Sequence, residues 1–336
     1  MKFFKDLINI DIKKDMGIYN LTDEFFCLYL NEISLKENKN ILVVVNSVYE
    51  ANKLYSILSN YNSNTYIFPM DDFLTSEALA VSPDLKLNRL ETINKIINSN
   101  NSIVITNLMG YLRFLPTKEN YINSIINLKV GDTIEPSLLV KKINSLGYSR
   151  DTLVTKTGEF ASRGFVLDIY PIEEDNPIRI EFFDDEIESI RKFNAEDQKS
   201  IKSIDSICIK PFTEFITSEE VDDLDKQKLL PNYSEVVNIS GYLNGIVFFK
   251  DYDQLKLSYK NILEEIVEYK AEKDTKFSGN YMFSLNDIEE DYRIYYSSLN
   301  NLDSNNRDSI NFNVKTINNF NEDKDNINKF INDNIN

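Results

Sequence analysis

Three places along the chain carry carboxylates, two of them in clusters, that could hold a cation or move a proton. Asp184-Asp185-Glu186 sets three acidic groups in a row, the oxygen donors that a hard cation takes. Asp71-Asp72 stands just after the apolar run Tyr66-Ile67-Phe68-Pro69, at a strand end of the kind that carries active sites in α/β sheets. Lys250-Asp251 closes the run Gly245-Ile246-Val247-Phe248-Phe249, where an ATPase would place acidic residues for magnesium. Each also has a plainer explanation. Aspartate tolerates turn conformations and adjacent side chains point apart, so Asp184-Asp185-Glu186 reads as a tight hairpin turn. Asp71-Asp72 reads as a loop with a helix cap, and Asp251 as a solvated residue capping the helix after it.

The residues that are missing weigh on the same question. There is no histidine, which removes imidazole acid–base chemistry, Ser-His-Asp triads and histidine-held metals. Two cysteines, Cys27 and Cys208, cannot build a zinc site alone. A phosphate-binding loop needs glycine directly before Lys-Ser or Lys-Thr, so that backbone amides cradle the phosphates while the lysine reaches them. None of the nine glycines precedes a lysine. This segment is therefore expected to hold no catalytic residue, no metal and no cofactor, and not to be an enzyme.

Recognition is a better match to the residues. Period-2 alternation in Ile178-Arg179-Ile180-Glu181-Phe182-Phe183 puts Ile178, Ile180 and Phe182 on one face and Arg179, Glu181 and Phe183 on the other. A large apolar ring beside an arginine and a carboxylate, on a face that should be wet, is the composition of a protein-binding patch. The plainer alternative is that Phe183 ends the strand and folds back over the hairpin edge. Arg163 before Gly164 suggests a β-bulge that re-aims its neighbour.

The elements that position these residues read as α/β. Ile41-Leu42-Val43-Val44-Val45 is a continuous apolar run, as in a strand covered on both faces of a parallel sheet. A helix is expected over 47–59, a strand over 66–69, a helix over 86–98, a strand over 103–106, and later a strand over 245–249 with a helix over 253–270. Between them, 127–208 reads as an inserted β-rich (α+β) module, entered by a helix over 136–146 that ends at Gly147. That gives a first part of the α/β domain at 1–126, its second part at 209–295, and a final segment at 296–336. Residues 1–30 read as an amphipathic helical lead-in with Phe25, Phe26, Tyr29 and Leu30 in one stripe. The last stretch is rich in Asn and Asp and fits either a disordered tail or the start of another unit.

Three tracts, GEFASRGFVLDIYP (158–171), PIRIEFFDDEIESIRKF (177–193) and AEDQKS (195–200), resemble the strand-rich module of the transcription-repair coupling factors, the Mfd family. A related module occurs in the excision-repair helicase UvrB. IFPMDDFLTSEALAVSPDLKLNRLETINKI (67–96), IVITNLMGYLRFLP (103–116) and VGDTIEPSLLVKKINSLGYSRDTLV (130–154) continue the resemblance in the family's order. It implies a degenerate helicase-like, P-loop-like domain that keeps the scaffold without a Walker A motif, and a module that docks the repair ATPase UvrA. By resemblance Arg163, Arg179 and Phe183 would touch UvrA, with Glu181 and Arg191 as further candidates or a salt-bridged sheet face. ATP and Mg, RNA polymerase and DNA would belong to parts of the family's longer chains beyond this segment. Those parts would also mask the docking face. The ending INFNVKTINNFNEDKDNINKFI would open the family's next domain.

Composition bounds the partners. The chain of 336 residues carries a net charge of -17 and a pI near 4.6, so phosphate backbones would repel it. The opening MKFFKDLINIDIKK is too charged for a secretory signal or membrane span, which fits a cytoplasmic bacterial protein with reduced core thiols. Two other functions remain open. One is a UvrB-like helicase subunit binding nucleotide and DNA; the other is a stand-alone acidic scaffold.

Overall fold

Ile41-Leu42-Val43-Val44-Val45 is buried at every position because both of its faces are covered. The computed structural model describes residues 12–70, 83–216, 226–272, 276–288, 290, 292–298, 308–312 and 314. In chain order the first strands are β1 (Met16–Tyr19), β2 (Ile41–Val45), β3 (Thr65–Phe68), β4 (Ile103–Asn107), β5 (Leu115–Pro116), β6 (Ile126–Lys129) and β7 (Ser149–Arg150). They are followed by β8 (Glu159–Arg163), β9 (Val166–Ile169), β10 (Ile178–Phe183), β11 (Glu186–Phe193), β12 (Ser200–Ile204) and β13 (Ser206–Ile209). The last are β14 (Val236–Val237), β15 (Ile246–Lys250), β16 (Arg293–Ser297) and β17 (Ser309–Asn311). The helices that cover the sheets are α1 (Asp23–Glu37), α2 (Val48–Leu58), α3 (Pro83–Ile96), α4 (Pro136–Ser145) and α5 (Tyr252–Glu272).

A seven-stranded sheet runs in the order β17-β1-β16-β15-β2-β4-β3, and each pairing in it is parallel. Parallel neighbours need crossovers, and α1, α2 and α3 supply them. Alternation along each strand feeds two cores. Leu42, Val44, Val104, Val247 and Phe249 meet α3 and α5 on one face. Ile41, Val43, Val45, Ile105 and Phe248 meet α1 and α2 on the other. Each fully buried aliphatic side chain contributes about 1.5–3 kcal/mol.

Residues 16–19 and 309–311 add two strands at one side of this sheet. Residues 16–19 form a strand inside what read as a helical lead-in, and the expected stripe of Phe26, Tyr29 and Leu30 belongs to α1, where Phe26 stacks on Tyr296 at 3.8 Å. Ser309–Asn311 forms β17, which pairs with β1, and Phe312 packs on Phe25 and Tyr29; the rest of the ending read as the start of a following unit, 315–336, lies outside the described residues.

The chain leaves this sheet after β4 and rejoins it at β15. In between lies an antiparallel meander, β12-β11-β10-β9-β8, with β7 parallel at its edge. One face of this meander packs Phe160, Leu167, Ile169, Ile178, Ile180 and Ile190 against α4. Gly147 follows α4 at φ +84°, the left-handed residue that ends a helix and that only glycine adopts freely. A cap there also fits the packing, since a Cβ would lie 2.6 Å from Thr213.

Where the meander's exit returns to the parallel sheet, Glu214 is wedged between Arg89 of α3 and Arg113. Arg89 Nε donates to Glu214 Oε1, and Arg113 Nε donates to Oε2 at 2.9 Å. Arg89 Nη1 also donates to the Pro69 carbonyl at 3.0 Å, and Arg113 stacks on Phe215. All three ionic side chains are buried. Burial alone would raise the Glu214 carboxyl, but Arg113 and Arg89 hold it below its ordinary value.

The cysteines divide. Cys27 is buried in α1, and desolvation pushes its thiol up to about 12. Cys208 is not a core residue: it lies on the exposed side of β13, whose Ile207 and Ile209 are the buried ones.

Candidate protein-docking face

Register places the predicted residues on the wet face of the meander. Arg163 pairs with Val166, Val166 with Glu181, and Glu181 with Ser189, which makes one row across four strands. The next row runs Ala161, Asp168, Arg179, Arg191 and Ser203. The alternation in β10 is as expected: Ile178, Ile180 and Phe182 are buried, while Phe183 is 69% exposed. Phe183 therefore does not fold back over the edge.

Arg179 and Arg191 stand directly opposite one another, a like-charge pairing that is unfavourable without counter-charges. Each has its own carboxylate. Arg179 Nε and Nη2 donate to Asp168 Oδ1 and Oδ2 at 2.6 and 2.8 Å, a bidentate pair. The Asp168 bond, ahead of any other influence, raises the Arg179 pKa. Its guanidinium also lies 4.6 Å from the Phe193 ring centre. Arg191 Nη2 donates to Glu181, which also accepts from Ser189 Oγ at 2.8 Å. Arg163 Nη2 donates to the Thr152 carbonyl and the residue stays exposed.

Two tight turns end this face side by side. Arg163-Gly164-Phe165-Val166 carries positive φ only at Gly164, +58°, the pattern of a two-residue hairpin turn with glycine first. Gly164 is thus the turn residue of a hairpin and not the β-bulge that its strand-like surroundings suggested. The bulge lies in β11, where Glu181 pairs with Ser189 and Phe182 with Ile187, leaving Glu188 over. Asp184-Asp185 forms the neighbouring turn, with φ +51° at Asp184.

Two residues of this face were not singled out in the sequence. Asp168, between buried Leu167 and Ile169, is the partner that holds Arg179; only the pairing of β9 with β10 reveals it. Phe165 is 58% exposed at the turn.

The other carboxylate clusters fare differently. Asp71-Asp72 lies outside the described residues. At the β15 end, Lys250 Nζ stands 3.4 Å from Asp251, 3.8 Å from Glu50 and 4.0 Å from Asp23. Asp251 accepts from Ser297 Oγ at 2.6 Å, and its carbonyl, not its carboxylate, takes the first amides of α5. Among the described residues no group of three or more acidic or cysteine side chains is arranged to hold a metal ion, and no helix is long and apolar enough to cross a membrane.

The meander and its flanks, residues 126–215, match the UvrB interaction domain. The transcription-repair-coupling factor of Bacillus subtilis is 34% identical over 221 residues, covering 65% of this chain and 19% of that protein. That of Staphylococcus haemolyticus is 30% identical over 222 residues, 66% of this chain and 19% of that protein. Over this stretch the chain belongs to the transcription-repair-coupling factor family. It spans about a fifth of the length of the relatives it matches. The domain match encloses both rows of the wet face, so the ion pairs and the exposed phenylalanines lie inside the family's shared module.

Proposed function

We propose that this chain docks the repair ATPase UvrA through the wet face of the meander, serving transcription-coupled nucleotide excision repair. The observation that carries the reading is Phe183: a large apolar side chain, 69% exposed, at the end of a strand whose inward residues are buried. It stands on the same face as Arg163, Arg179, Glu181 and Arg191. A module shared with UvrB is also expected to meet UvrB's own partner. In this reading Phe183 is the apolar anchor, and Arg163 makes charge-assisted hydrogen bonds to partner carboxylates.

The parallel sheet is then a helicase-like scaffold without an ATP site. Two features support this: no glycine precedes a lysine, and the Lys250 ammonium stands among Asp251, Glu50 and Asp23 at the carboxyl end of central β15, the end of such a sheet where nucleotides are usually held. ATP, RNA polymerase and DNA would be handled by other parts of a longer chain, which would also mask the docking face.

Titration calorimetry of the chain against UvrA from the same source tests the reading. Phe183→Ala is expected to weaken binding by about 2 kcal/mol, roughly 30-fold, while thermal stability stays unchanged. Failure of the unaltered chain to bind would overturn the proposal in favour of an acidic scaffold.

A further inference from the structure

Phe165 has no evident structural reason to be a phenylalanine. It occupies the second central position of a two-residue hairpin turn, a place ordinarily filled by small or polar residues. It is 58% exposed and belongs to none of the buried clusters of the described residues. Its backbone is fixed against the next hairpin, because Phe182 N donates to the Phe165 carbonyl at 2.9 Å. That bond places Phe165 beside the end of β10, one residue along from Phe183.

Continuing the same register sets Gly164 beside Phe183. A Cβ at Gly164 would meet nothing within 4 Å, so the backbone there lies open next to the exposed ring. By that register Phe165 is level with inward-facing Phe182, one pleat from Phe183, so the two exposed rings stand at neighbouring hairpin tips and not side by side on the wet face. Arg163 precedes the first of these tips, and Asp184-Asp185 forms the second.

We infer that Phe165 is a second aromatic anchor for the partner that Phe183 binds. The socket it fits is apolar, with an acidic rim facing Arg163 and a basic rim facing the Asp184-Asp185 turn. This inference rests on the docking reading above. It extends the contact beyond the strand face to the paired hairpin tips, where the open glycine backbone admits close approach.

The test compares four forms of the full chain against UvrA by calorimetry: unaltered, Phe165→Ser, Phe183→Ala, and Ile201→Ser as a control. Ile201 is 54% exposed on the edge strand β12, away from the tips. The expected result is at least a tenfold loss for Phe165→Ser, less than twofold for Ile201→Ser, and unchanged melting temperatures in both. If Phe183→Ala weakens binding while Phe165→Ser changes it less than twofold, the second anchor is refuted and the docking reading stands. If Phe165→Ser and Ile201→Ser weaken binding equally, the effect is general and the anchor is again refuted. If the unaltered chain does not bind, the docking reading itself falls.

Discussion

Two sets of arginine–carboxylate contacts lie within this chain, and they differ chiefly in their access to water. At the junction of meander and parallel sheet, Arg89 and Arg113 clasp Glu214, with side chains only 2–6% exposed. On the wet face, Arg179 holds Asp168 and Arg191 holds Glu181, with the arginines 20% and 29% exposed. A buried ionic group cannot lose its partner without leaving a charge stranded in a poor dielectric, so the first set fixes how two sheets meet. A partly exposed pair such as Arg191–Glu181 can open toward water or exchange its carboxylate for another at small cost. The same chemistry thus makes a joint in one place and, in the docking proposed above, a recognition surface in the other.

The largest effect is expected at the joint. Glu214→Ala leaves Arg89 and Arg113 without their shared carboxylate and should cost about 3–5 kcal/mol, read by urea denaturation. The pH dependence gives a second reading. Glu214 sits below the 4.5 of a free glutamate side chain, so the native state binds fewer protons than the unfolded one. Its contribution is complete above that value and is lost as pH falls through the depressed native one. Glu214→Gln should remove that acid-side loss. A Glu214→Ala protein as stable as the parent would show that the joint is not fixed by charge.

Arg179 tests the boundary between the two kinds of contact. Its partner Asp168 is 3% exposed, so Arg179→Ala strands a buried carboxylate although the arginine itself touches solvent. A double-mutant cycle of Arg179→Ala with Asp168→Ala should return a coupling of about 1–3 kcal/mol in stability. Loss of UvrA binding by Arg179→Ala would then be expected in Asp168→Asn as well. If Asp168→Asn binds UvrA normally, Arg179 reaches the partner directly and does not merely shape the face.

How far the sequence discloses this comparison depends on the distance over which each contact is made. Alternation within β10 and the continuous apolar runs of β2, β4 and β15 are local patterns, and the structure has them close to the expected positions. Arg179 and Phe183 could be placed on one face for the same reason. β1 and β17 could not: MGIY and SIN are short, one with a glycine and the other polar, and neighbouring strands decide their pairing. Asp168 needed the register of β9 against β10. Glu214 lies 125 and 101 positions from its two arginines, and no local pattern links residues so far apart. The wet face proposed for docking, built within one meander, is therefore largely legible in its geometry, whereas the joint is not.

Arg191 and Glu181 should show the smallest effect and so sharpen the contrast most. They meet diagonally across β10 and β11 with both side chains 29% exposed, and water screens what they gain from each other. Replacing either by alanine should change stability by less than about 1 kcal/mol, and the difference should shrink further in high salt. Binding is another matter, because a pair of little value to the fold still presents charge to a partner. Arg191 Nε is buried and has no acceptor among the described residues, so part of its donor capacity is unspent. If Arg191→Ala leaves stability unmoved yet weakens UvrA binding several-fold, the half-exposed pairs belong to recognition. If instead it destabilises the chain as severely as Glu214→Ala, exposure does not separate the two sets and the comparison fails.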